Sequence, residues 1–88
     1  MEYLLFTYPN CSQCQELKEF LGSAELEARE YNLVLKESKM KIRELLPHIR
    51  RDSKGAIVIP SLVLQEGSRV EAVLNSREEL EDWLKSKA

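Results

Sequence analysis

Eighty-eight residues, 43% apolar and 32% charged with a net charge of −2, describe one globular domain spanning residues 1–88, near the small end of what buries its own core. No apolar run approaches the roughly eighteen residues of a membrane span, and an acidic balance without an aromatic-interleaved basic stripe argues against nucleic-acid binding. Both cysteines fall in one motif, Cys11-Ser12-Gln13-Cys14, which leaves none for a structural disulfide framework.

Residues 2–7 read as a first strand, buried on both faces because Tyr3-Leu4-Leu5-Phe6 barely alternates. A first helix follows from about Cys11 to Leu21, with Leu17, Phe20 and Leu21 at helical spacing and Gly22 as the expected left-handed residue closing it. Ser23 to Ala28 is a polar connection, and Arg29 to Leu35 a second strand. Ser38 is the expected cap of a second helix with Ile42, Leu45, Leu46 and Ile49 on one stripe. Pro47 interrupts that stripe, so a kink or break is expected near Leu46.

After a loop at 51–55, the run Ala56 to Leu64 is β-branched and apolar with Pro60 inside it. A proline cannot donate to a central ladder, so the third strand is expected to begin at about Ser61. Glu66-Gly67-Ser68 is a hairpin turn, Arg69 to Leu74 an alternating fourth strand, and Ser76-Arg77-Glu78-Glu79 a capping box that opens a last helix with Leu80, Trp83 and Leu84 as its apolar stripe. The order β-α-β-α-β-β-α implies an α/β fold, a mixed four-stranded sheet flanked by three helices, since the strand–helix–strand unit needs a parallel pair and the terminal hairpin an antiparallel one.

The chemistry lies where strand one meets helix one. Residues three apart on a helix share a face, so the Cys11 and Cys14 sulfurs can reach the roughly 2 Å of a disulfide. At the helix start Cys11 meets unpaired backbone N–H groups and the positive end of the dipole, a field that favours the attacking thiolate. Cys14, one turn inside, is expected to be more covered and placed to resolve a mixed disulfide.

With these motifs in register, the chain resembles a glutaredoxin-like protein of the thioredoxin superfamily in its minimal form. The resemblance covers nearly the whole chain: Cys11-Ser12-Gln13-Cys14 after strand one, Val58-Ile59-Pro60 before strand three, and the short last helix. It implies a dithiol–disulfide oxidoreductase with Cys11 as nucleophile and Cys14 as resolving thiol. It also implies a cis peptide before Pro60, which would turn the Ile59 backbone toward the sulfurs and a bound cysteinyl substrate. Tyr8 would shape the rim beside Cys11, and Ser76 with the N–H groups of the last helix start would receive a carboxylate.

The sequence departs from the family at Ser12 and Gln13, where glutaredoxins usually carry proline and an aromatic. It departs again at Val73-Leu74-Asn75-Ser76, where glutathione-binding members carry a glycine-containing turn and an aspartate. Glutathione is therefore a candidate co-substrate rather than a required one. From Tyr3 to Tyr8 strand one also lacks the acid that thioredoxins use for proton transfer.

The expected partners are a disulfide-containing protein or a low-molecular-weight thiol, with a reductase as electron donor. No cofactor beyond the redox-active disulfide is implied, and a cytoplasmic protein is expected, since Met1 to Phe6 shows neither a basic n-region nor a small-residue cleavage site, with a monomer as the default. His48, the lone histidine, would give the two cysteines only three zinc ligands and lacks the second pair of a structural site. Lys36, Lys39, Lys41, Arg43, Arg50, Arg51 and Lys54 outnumber Glu37, Glu44 and Asp52 in the middle of the chain. That excess suits either a solvated face or an anionic partner, and it supports an alternative reading, a redox-sensitive thioredoxin-fold binding module with little generic reductase activity.

Overall fold

A computed structural model describes residues 1–87. Strand β1 (Glu2–Thr7) leads into helix α1 (Ser12–Ser23), then strand β2 (Arg29–Asn32), helix α2 (Lys36–Arg43) and a 3₁₀ turn (Leu46–His48). Strands β3 (Ser61–Glu66) and β4 (Arg69–Leu74) and helix α3 (Arg77–Lys87) complete the chain. The sheet order is β2-β1-β3-β4, with β1 parallel to β2 and antiparallel to β3, and β3 antiparallel to β4. The expected α/β class and mixed four-stranded sheet are therefore present, in the arrangement of a minimal thioredoxin fold. Among the described residues no helix is long and apolar enough to cross a membrane.

Strand periodicity sorts the core into two clusters. Leu4, Phe6 and Val63 point to one face and pack with Ile42, Leu45 and Ile49 of the α2 segment. Leu5, Leu62 and Leu64 point to the other and pack with Leu17 and Leu21 of α1 and Leu80 of α3. Both faces of β1 and β3 are thus covered, which is why their sequences read as unbroken apolar runs. Phe6 also stacks on Tyr31 across the parallel pair, with ring centroids 5.1 Å apart.

Three expectations about boundaries need correction. Helix α1 does not stop at Gly22. It runs to Ser23, and the left-handed residue is Glu25, with φ of +57°. Glu25 N–H donates to the Gly22 carbonyl at 3.1 Å and Leu26 N–H to the Leu21 carbonyl at 2.9 Å, the paired bonds of a Schellman ending. This extension carries Leu26 back onto the apolar cluster that contains Leu21, and that contact outweighs the local preference for glycine.

Strand β2 ends at Asn32 rather than Leu35. Asn32 Oδ1 accepts from Val34 N–H at 3.1 Å, and its carbonyl accepts from Leu35 N–H at 3.0 Å. This local turn competes with the ladder, and Val34 and Leu35 emerge exposed. Helix α2 consequently starts at Lys36, two residues before the expected cap, with Leu35 at the N-cap position and no side-chain cap. Ser38 is buried in its first turn instead. The break around Pro47 occurs as expected: α2 ends at Arg43 and the proline opens the 3₁₀ turn.

A non-glycine residue held left-handed costs roughly 1–2 kcal/mol, and a carboxylate at a helix C-terminus opposes the dipole. Glu25→Gly is therefore expected to raise stability in urea denaturation by about 0.5–1 kcal/mol after the glycine entropy penalty. A loss of stability would contradict this description of the α1 ending.

Candidate functional site

Cys11 and Cys14 are joined as a disulfide, with Cα atoms 5.2 Å apart. The local sequence explains their placement. Pro9 and Asn10 turn the chain out of β1, and Asn10 takes φ of +57°, a conformation its short polar side chain tolerates. Cys11 then stands at the N-cap of α1 in extended conformation, and its carbonyl accepts the first helical bond, from Gln15 N–H at 3.1 Å. Its Sγ accepts from Cys14 N–H at 3.1 Å, so the sulfur occupies the position that a serine or aspartate oxygen fills in ordinary caps. Cys14 is 3% exposed, whereas Cys11 is partly open to solvent, and Ser12 and Gln13 lie outermost. One sulfur is offered and the other is covered.

The disulfide lines a cleft of about 580 Å³ together with Tyr8, Pro9 and Asn10, and with Thr7, Lys18, Glu30 and Asn32. Thr7 Oγ1 donates to Glu30 Oε2 at 2.8 Å, and Lys18 Nζ lies 3.1 Å from Glu30 Oε1. Partial burial by itself would raise the Glu30 pKa, but the Thr7 hydroxyl and the Lys18 ammonium outweigh it and hold the carboxyl below its usual value. The parallel register pairs Leu5 with Glu30 and Thr7 with Asn32, and that pairing brings Glu30 beside Thr7 and under α1. Strand one carries no acid from Tyr3 onward, yet the neighbouring strand supplies one to the cleft. Its signal was the position of Glu30 in a strand, opposite in facing to the apolar Tyr31.

The Ile59–Pro60 peptide is cis. Since Ser61 pairs with Phe6, Pro60 falls at the end of the sheet where β1 hands over to the cysteine loop. Ile59 and Pro60 do not line the disulfide cleft itself, so of the expected site residues only Tyr8, Cys11 and Cys14 share one cavity.

Pro60 is instead tied to the approach of α3, through a residue sequence reasoning did not single out for binding. Asn75 Nδ2 donates to the Pro60 carbonyl at 2.9 Å and to Ser61 Oγ at 3.2 Å, and lies 3.4 Å from the Val58 carbonyl. Asn75 Oδ1 is buried without a partner among the described residues. Ser76 caps α3 as expected, its Oγ accepting from Glu79 N–H at 3.1 Å.

A carboxylate of the chain's own also lies at this helix start. Glu79 Oε1 accepts from Asn75 N–H, while Glu79 Oε2 pairs with Arg50 at 2.9 Å. Partial burial would raise the Glu79 pKa; the Asn75 N–H and Arg50 reverse this and lower it. Among the described residues no group of three or more His, Cys, Asp or Glu side chains is placed to hold a metal ion, and His48 is exposed in the 3₁₀ turn.

A carboxyl whose pKa is lowered by folding adds stability that is present at neutral pH and lost as the pH falls through its folded value. Both Glu30 and Glu79 act in this sense. The double variant Glu30→Gln/Glu79→Gln is expected to unfold at lower temperature than the parent at pH 7, and the two curves should converge below about pH 4. With both side chains 38% exposed, each effect is expected to be well under about 1 kcal/mol. A gap that persists unchanged at pH 3 would refute the charge-based account.

No known family model, curated protein or solved structure matches this chain.

Proposed function

We propose that this chain is a thiol–disulfide oxidoreductase of the glutaredoxin-like kind, cycling between the Cys11–Cys14 dithiol and disulfide. The observation that carries the reading is the asymmetric pair at the α1 start: a partly exposed Cys11 at the N-cap, joined to a covered Cys14 one turn inside. A cross-link between residues this close in sequence closes a very short loop and stabilises less than one that joins distant segments. The same spacing suits reversible chemistry.

In the reductive direction the Cys11 thiolate attacks one sulfur of a substrate disulfide. A Cys11–substrate mixed disulfide forms, and the first substrate sulfur leaves as a thiolate. Cys14, once deprotonated, attacks the Cys11 sulfur. The second substrate thiolate leaves, and the Cys11–Cys14 disulfide holds the oxidising equivalents until two electrons arrive from a thiol or a reductase. The N–H of Cys14 aimed at Cys11 Sγ and the α1 dipole both favour negative charge on the attacking sulfur. The protein's own Glu79 carboxylate at the α3 start fits a substrate other than glutathione, and Tyr8 on the cleft rim is placed to touch whatever is bound to Cys11.

Cys11→Ser is expected to reduce turnover of a disulfide substrate to the uncatalysed rate. Cys14→Ser should instead accumulate a mixed disulfide visible as added mass by intact-protein mass spectrometry. Full turnover by the Cys11→Ser protein would end this assignment.

A further inference from the structure

A second groove opens beside the disulfide cleft, and we propose that it receives an extended segment of a protein substrate carrying an apolar side chain flanked by an acidic one. This rests on the oxidoreductase reading, and it names the substrate class. The groove measures about 310 Å³, at the small end of ligand pockets, room for a side chain or two. Its floor is apolar, made by Leu33, Ile42, Leu46 and Ile57, and its rim carries Lys39 and Arg43. Tyr8 lines both this groove and the cleft that holds Cys11 and Cys14. A chain whose cysteine is bonded to Cys11 therefore passes Tyr8 directly into the groove.

Charge selects the occupant. Lys39 and Arg43 are four residues apart on α2 and share a face. Among the described residues neither forms an ion pair with a carboxylate of the chain, so both are free to meet one on a ligand. Two free cations at the edge of an apolar floor complement an acidic side chain adjoining an apolar one. Tyr8, which lines the groove, is itself 49% exposed, and Val34 and Met40, next in sequence to the lining residues Leu33 and Lys39, are exposed as well. Glutathione offers carboxylates but no apolar side chain to fill the floor.

The test titrates the intact oxidised protein with three peptides, each bearing serine where the substrate cysteine would stand, and follows backbone amide shifts by NMR. One peptide has Leu beside Glu, the second Leu beside Lys, the third Ala beside Glu. The Leu–Glu peptide is expected to bind about fivefold to tenfold more tightly than either other peptide, with shifts centred on Leu33, Ile42, Leu46 and Ile57. In the double variant Lys39→Glu/Arg43→Glu the order of the Leu–Glu and Leu–Lys peptides should invert.

Equal binding of the three peptides, no binding of any, or shifts outside the groove would overturn the proposal. So would oxidised glutathione shifting the same residues at equal affinity. If the Leu–Glu peptide binds as expected, but the reduced protein does not reduce a disulfide of the same peptide made with cysteine in place of that serine, the docking groove stands and the oxidoreductase reading fails.

Discussion

Strand β1 is hydrogen-bonded to neighbours along both edges and buried on both faces, and the remaining structure takes its position from that double constraint. A strand so placed cannot slip by one residue without turning Leu4 and Phe6 into the cluster built for Leu5, and Leu5 into theirs. Register is consequently rigid. Its C-terminal end delivers the turn at Pro9 and Asn10, and so the Cys11 N-cap. The antiparallel pairing with β3 sets Pro60 at the same end of the sheet, and the parallel pairing with β2 brings Glu30 under α1. The Cys11–Cys14 disulfide sits at the mouth of a clamped strand, where backbone freedom has already been removed by packing elsewhere.

The starts of α1 and α3 show how one physical device serves two ends. At α3 Ser76 accepts from the Glu79 N–H and Glu79 accepts in return from the Asn75 N–H, an arrangement in which the carboxylate is internal and is also paired with Arg50. At α1 the capping acceptor is a sulfur, a weaker and more polarizable partner, and one whose bond to Cys14 can break. The first arrangement fixes the helix. The second leaves the end of the dipole available to a charge that appears only when the disulfide opens. The basic rim of α2 adds a further positive field close by, beside the apolar groove that adjoins Tyr8.

Much of this was legible in the chain. The unbroken run Tyr3 to Phe6 marked a strand buried on both sides, the Cys-x-x-Cys marked a helix start, and Pro60 marked the beginning of β3. Ser76 to Glu79 marked the α3 cap. Each of these signals is local, and each was read from residues within four of one another. What escaped depends on contacts across the fold. Glu25 takes a left-handed conformation because Leu26 returns to the cluster of Leu21, a tertiary demand that no glycine announced. Strand β2 stops short because the Asn32 side chain satisfies the backbone that Val34 would have lent to the sheet. Thr7, Lys18 and Glu30 are far apart in sequence and meet only through the parallel register. Asn75 was visible as a departure from a family pattern, but its bonds to Pro60 and Ser61 follow from the position of β3.

The central claim is that Cys11–Cys14 is a working redox pair rather than a structural link, and its equilibrium reduction potential tests this most directly. The fraction of disulfide would be read by thiol alkylation and mass spectrometry after equilibration in buffers of graded glutathione and dithiothreitol poise. A half-reduced point between about −120 and −280 mV, the span of working dithiol proteins, is the predicted result. A pair that stays oxidised below about −300 mV, as structural disulfides do, would contradict it.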